Sequence, residues 1–306
     1  MYRRVVVATD GTSTGWGAVR FGAALARQTG AEIHAVAVLE PLVSTGGRLQ
    51  AQLPHAGELD RAREDELHGR VLRQLQGAPG AAAWPLEVRR GWAGGAIAHF
   101  ARDLRADLIV MGRPSRSARV SSGIPLAAEV LGLSATPVLA AVPDLAGLPS
   151  SAVAAVDFGM ASVESARYAL GVLGTPATLR LVHAAPRFDF PAALLWGWNE
   201  SYSREAPAEL ERLAASLGAG PDVEMTTEVA QGDPAGVLLS RAAGGAADLL
   251  VLGGQGYLYR GRVLIGGIAP TLLRAAPCSV LLVPPADAAP QQGMDSAALA
   301  AFAQQA

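Results

Sequence analysis

The sequence predicts an α/β protein made of two doubly wound domains, each a five-stranded parallel sheet with helices on both faces. Three observations predict it. The chain has 306 residues, about twice the length of one ordinary domain. Short, uniformly apolar runs alternate with amphipathic stretches, the pattern of strands buried on both faces and separated by helices. The pattern also occurs twice: ADLIVMG at 106–112 returns as ADLLVLG at 247–253, VVVATD at 5–10 as AVAAVD at 152–157, and TPVLAAVP at 136–143 as CSVLLVPP at 278–285. The first of these shifts is 141 residues. A period this long means domain duplication, since solenoid units run about 20–50 residues.

In the first copy the strands are read at Val5–Thr9, Ile33–Leu39, Leu86–Arg89, Leu108–Met111 and Val138–Val142. Ser13–Thr29 places Val19, Ala23 and Ala26, with Phe21 and Leu25, at helical spacing; residues 58–76 do the same with Leu67, Val71 and Leu75. The second copy mirrors these helices in VESARYALGVLG and PAELERLAASLG. Domains at 1–145 and 151–286 follow, joined through DLAGLPSS at 144–151, with 287–306 as a flexible tail or short docking helix.

Composition narrows the function classes. Half the residues are hydrophobic, 17% are charged and the formal net charge is −2. Residues 1–149 hold 16 Arg against 13 acids, and residues 150–306 hold 9 Arg against 14 acids, so neither half carries a nucleic-acid footprint. All 25 basic residues are arginine, which excludes Schiff-base lysines and a Walker A loop. The single Cys278 excludes an intrachain disulfide and a multi-cysteine metal site, and reads as a buried small residue. No run resembles a signal peptide or a membrane span, so a cytoplasmic location is expected.

In doubly wound sheets a ligand sits beyond the carboxyl ends of the strands, where strand order reverses. The residues there are Asp10 and Asp157 after the first strands, and Gly112 and Gly253 after the fourth. Copy two continues with Gly256 and Gly266–Gly267 before a helix expected to start near Ile268. Glycines let main-chain N–H groups approach an anion, and a helix start adds free donors and a positive dipole end. Turns use glycine for their own reasons, and an acid at a strand end is often a cap or turn residue, so the structural alternative stays open for each.

GTSTG at 11–15 matches a nucleophile elbow, but only ten residues precede it and DFGMAS in copy two does not repeat it; chance, or helix capping by Thr12–Thr14, is a plainer reading than a nucleophilic Ser13. The five histidines show no metal-ligand spacing, and His34 and His183 read as core or edge residues. Phe188, Phe190, Trp196, Trp198 and Tyr202 gather after the second strand of copy two, most simply packing between the copies, with a lid over a bound base as the alternative.

With these residues in place, the chain resembles the universal stress protein family along nearly its whole length, as a tandem pair. VVVATDGTS and AVAAVDFGM, ADLIVMG and ADLLVLG, and GGQGYLYRGRVLIGG followed by APCSVLLVPP carry the resemblance. The ATP-binding members have glycine, two residues, glycine, nine residues, then glycine followed by Ser or Thr. Gly253, Gly256 and Gly266 meet that spacing, with Gly267 at the hydroxyl position. Copy one keeps Gly112 but has Ser115 and Ile124–Pro125 at the later positions, and Pro125 removes a donor. Arg113, Arg116 and Arg119 read as a solvated loop.

The resemblance implies that Asp157 meets the ribose or adenine end of ATP or AMP, and that the backbone near Ala184 meets the adenine edge. Magnesium would accompany ATP. It also implies that PVLAAV and SVLLV pair across the copies, making an intramolecular pseudo-dimer. The expected function is adenine-nucleotide-linked stress response, with binding as the primary activity and at most slow ATP hydrolysis. The alternative is a nucleotide-independent scaffold for an unknown protein partner. A membrane or nucleic-acid partner is not expected, and a homodimer is left open.

Overall fold

The computed structural model describes residues 2–41, 56–113, 125–185, 192–254, 256–259, 262–265 and 267–285. The chain divides into two compact units, Met1–Gly147 making the bulk of the first, and Leu148–Tyr257 with Leu264–Ala288 the bulk of the second.

The first unit runs β1 (Arg4–Ala8), a 3-10 turn at Ser13–Gly15, α1 (Trp16–Thr29), β2 (Glu32–Leu39), α2 (Ala56–Gln76) and β3 (Leu86–Arg90). It continues with α3 (Ala93–Asp103), β4 (Leu108–Gly112), α4 (Leu126–Ser134) and β5 (Val138–Ala141). Its strands lie in the order β3-β2-β1-β4-β5, every pairing parallel. β4 and β5 are apolar on both faces because both faces are buried. β3, at the outer edge, reads LEVRR and is half-exposed, its charges blunting a strand that pairs on one side only among the described residues. On α1, Phe21 and Leu25 are fully buried, and on α2 so is Val71, as the helical spacing requires. Gly30 closes α1 in the left-handed conformation, φ 72°, its N–H donating to the Ala26 carbonyl.

The second unit repeats this order: β6 (Ser151–Ala155), α5 (Met160–Leu170), β7 (Ala177–Ala185), α6 (Ala192–Leu217), β8 (Val223–Gln231), α7 (Pro234–Ala242) and β9 (Leu249–Gly253). Along the chain come two short strands, β10 (Gly256–Tyr259) and β11 (Arg262–Ile265), whose residues 258–263 are not part of this unit, and then α8 (Ala269–Ala275) and β12 (Ser279–Val283). The sheet order is β8-β7-β6-β9-β12, again parallel throughout, and β10 pairs with β11 alone. α6 extends 15 residues upstream of Pro207, where the sequence reading begins it. α7 starts on Asp233, whose carboxylate accepts the Gly236 N–H, followed by Pro234, which has no N–H to leave unsatisfied there.

The aspartate of the repeated ADL segment has a structural task in both units. The Asp107 carboxylate accepts the N–H groups of Arg3 and Arg4, and Asp248 those of Ser150 and Ser151 together with the Ser150 hydroxyl. Each carboxylate thereby fixes the start of the first strand beside the fourth. Burial alone would push the Asp248 carboxyl up; the hydrogen bonds from Ser150 and Ser151 together outweigh it and hold the carboxyl below its ordinary value. Cys278 is buried, as expected of a small core residue.

Candidate functional site

Strand order reverses beside β6, which has β7 on one side and β9 on the other, so the carboxyl ends of these three strands form the candidate site. β6 and β7 pair as far as Ala155 and Val182, and the Val156 N–H still donates to the Val182 carbonyl. Backbone groups alternate sides along a strand. Since Val182 faces β6, so do the N–H and carbonyl of Ala184, two residues on, at a point past the last β6–β7 pair. A hydrogen-bonding peptide edge is thus directed at the turn that follows β6.

That turn is Asp157–Phe158–Gly159. The exposed Asp157 carboxylate accepts the Gly159 N–H at 2.9 Å through Oδ1, and Ser162, buried, accepts the Asp157 N–H and donates to the Gly159 carbonyl. Phe158 holds φ 63°, the left-handed region that a bulky residue rarely enters. Its ring lies 4.5 Å from that of His183 on β7. His183 is buried and bonded at both nitrogens: Nδ1 to the Val156 carbonyl at 2.7 Å, Nε2 to the Tyr202 hydroxyl of α6. A carbonyl only accepts, so Nδ1 carries a proton, and the Tyr202 hydroxyl holds Nε2. Burial pushes the Tyr202 phenol above its ordinary value, keeping it protonated.

A family model described as the universal stress protein family matches residues 1–140 and again 151–284. The chain belongs to that family. A universal stress protein of Methanocaldococcus jannaschii is 26% identical over 126 residues, 40% of this chain and 74% of its own length. A solved universal stress protein of Archaeoglobus fulgidus covers 92% of this chain and 98% of its own at 18% identity, with a TM-score of 0.62. Another, solved in complex with cAMP, covers 47% of this chain and 98% of its own at 21% identity, with a TM-score of 0.32.

In this universal stress protein the glycines after β9 play parts that the spacing alone did not reveal. A Cβ on Gly253 would lie 2.6 Å from the Ala161 carbonyl carbon and oxygen and 2.8 Å from the Ser162 nitrogen, so this glycine lets β9 end against the first turn of α5. Gly112 meets the Thr14 carbonyl in the same way in the first unit. Gly256 opens β10 rather than lying in an open loop. Gly266 lies outside the described residues, as do Ser115, Arg116, Arg119 and Ile124. Gly267 is exposed at φ 69°, a conformation that Ser or Thr would adopt only with strain. α8 then begins at Ala269, one residue after the expected start, and has only seven residues, with Pro270 removing a further N–H.

Pro125 in the first unit, by contrast, stands at the N-cap of α4, outside the helix, and accepts the N–H groups of Ala128 and Glu129. Neither proline offers an N–H; Pro125 stands just outside its helix, whereas Pro270 stands in the first turn of α8. Arg113 is a correction to the sequence reading, being buried rather than part of a solvated rim. The Thr12 hydroxyl is a second, since it bonds Asp10 and Thr14 instead of capping a helix.

The matching turn in the first unit, Asp10–Gly11–Thr12, is covered by α2. A Cβ on Gly11 would lie 2.7–2.9 Å from Arg70 and the Val71 nitrogen. Arg70 donates to the Asp10 carbonyl at 2.7 Å, and the buried Gln74 bonds the Thr9 hydroxyl and the Thr12 carbonyl. The Asp10 Oδ1 is taken by the N–H and hydroxyl of Thr12. Of the aromatic group after β7, Tyr202 faces His183; the side chains of Phe188, Phe190, Trp196 and Trp198 are outside the described residues. Among the described residues no three His, Cys, Asp or Glu side chains are placed to hold a metal ion, and no helix is long and apolar enough to cross a membrane.

Proposed function

We propose that this universal stress protein binds adenine nucleotide, ATP with magnesium or AMP, at the carboxyl ends of β6, β7 and β9, and acts in stress response as a nucleotide-responsive regulator. The observation that carries this reading is the corner formed by the Ala184 peptide edge and the exposed Asp157 carboxylate, at the point of the sheet where such ligands sit. A peptide N–H and carbonyl two bonds apart complement the edge of an adenine ring, and a carboxylate complements ribose hydroxyls. Magnesium would arrive on the ATP phosphates, because the described residues offer it no cage. Gly253 and Gly267 have structural reasons to be glycine, and this favours a second reading, a nucleotide-independent scaffold for a protein partner.

Native mass spectrometry of protein purified without nucleotide, followed by calorimetric titration with ATP–magnesium and AMP, separates the two. Under the first reading nucleotide is carried along or titrates in, and Asp157→Ala weakens it about tenfold or more, the effect of losing a hydrogen bond to a charged group. Silence at millimolar ATP and AMP would leave only the scaffold.

A further inference from the structure

The repeat makes one residue of the second unit conspicuous. Position 158 holds phenylalanine where the first unit holds Gly11, and both backbones take the left-handed conformation, φ 63° and 75°. Glycine adopts it without cost, whereas a residue with a Cβ does so against steric resistance. The second unit therefore retains a ring at a position whose backbone favours having none. Strain of this kind clusters at ligand sites, and the inference runs from the observed outlier to a role.

The surroundings indicate which role. The ring lies against His183, which cannot swing away because Val156 and Tyr202 hold both its nitrogens. Phe158 nonetheless keeps part of its surface exposed; it directly follows Asp157 in the chain, and its ring partner His183 directly precedes Ala184 on β7. In the first unit no ring is present, and Arg70 and Val71 of α2 cover the same turn.

We infer that Phe158 is the stacking residue of the second unit, a π-surface on which a planar heteroaromatic base lies while its edge bonds the Ala184 backbone. His183 and Tyr202 are positioning residues that fix the ring from behind. This inference rests on the nucleotide reading above, and gives that site its selectivity for a base over a bare sugar phosphate.

The experiment compares AMP with ribose 5-phosphate by calorimetric titration of the full chain, for the wild type, Phe158→Gly and Phe158→Asn. Glycine and asparagine both tolerate the left-handed backbone, so one of the two keeps the comparison possible if the other fails to fold; thermal unfolding checks each. The expected result is a wild type that prefers AMP, and variants that lose about tenfold in AMP affinity, the scale of one base–aromatic stack, with ribose 5-phosphate unchanged. Variants that bind AMP as tightly as the wild type would overturn the role of Phe158 and leave the nucleotide site standing. A wild type that binds neither compound would overturn both.

Discussion

At the scale of single residues, Gly253 separates packing from ligand binding. Its missing Cβ is required by Ala161 and Ser162, which are main-chain atoms and cannot rotate aside. Gly253→Ala is expected to lower unfolding free energy by about 1–3 kcal/mol, the range of overpacking, measured by urea denaturation in the absence of nucleotide. Stability equal to the wild type would show that this glycine is free to serve a ligand alone. Gln74 allows a parallel test in the first unit. It is 3% exposed and serves both Thr9 and Thr12, so Gln74→Leu leaves a buried hydroxyl and a carbonyl without that partner. A loss of about 1–3 kcal/mol is expected in the same assay.

At the scale of elements, the strands were legible because their burial on two faces writes itself as unbroken apolar runs, and α1 and α2 because one apolar stripe must recur every three to four residues. What the sequence hid was where helices start. Pro125 and Pro270 read alike in a string, yet one stands outside α4 at its N-cap and the other lies within the first turn of α8. The role of Asp107 and Asp248 was hidden for another reason: their partners are backbone N–H groups some 100 residues away. The Phe158–Gly11 contrast, however, could have been found by laying the two copies side by side.

The α3–α4 pair carries a pH-dependent consequence. The Glu129 carboxylate packs directly on Gly94 in the first turn of α3, while Glu40 accepts the Ala93 N–H beside it. Burial first, and then the Glu40 charge, push the Glu129 carboxyl above its ordinary value. The native state thus holds this proton more tightly than the unfolded chain, so its contribution is complete below the ordinary glutamate value. It is lost as pH rises through the raised one. Glu129→Gln should gain on the wild type steadily as pH climbs through that window, and stay ahead at neutral pH. Denaturant unfolding at a series of pH values measures the difference, and a constant offset between the two proteins would contradict it.

At the scale of the whole molecule, duplication has left two units with the same strand order and two first-strand turns that have diverged. Each turn keeps its aspartate, and each aspartate closes the turn by accepting an N–H two residues on. The difference is what meets the turn. In the first unit α2 comes down on Gly11, with Arg70 and Gln74 bonding the backbone that a ligand would need. In the second, Phe158 precludes such an approach and its ring meets that of His183 at a tilt instead; the aspartate is exposed in both units, so the difference lies in what covers the turn's backbone. Under the nucleotide reading proposed above, the asymmetry predicts a stoichiometry. Titration with AMP should saturate at one nucleotide per chain, and Asp157→Ala should weaken that single event while Asp10→Ala leaves it in place. Two equivalent sites per chain, or a site that follows Asp10, would mean that α2 yields to ligand and that the first unit's turn is open after all.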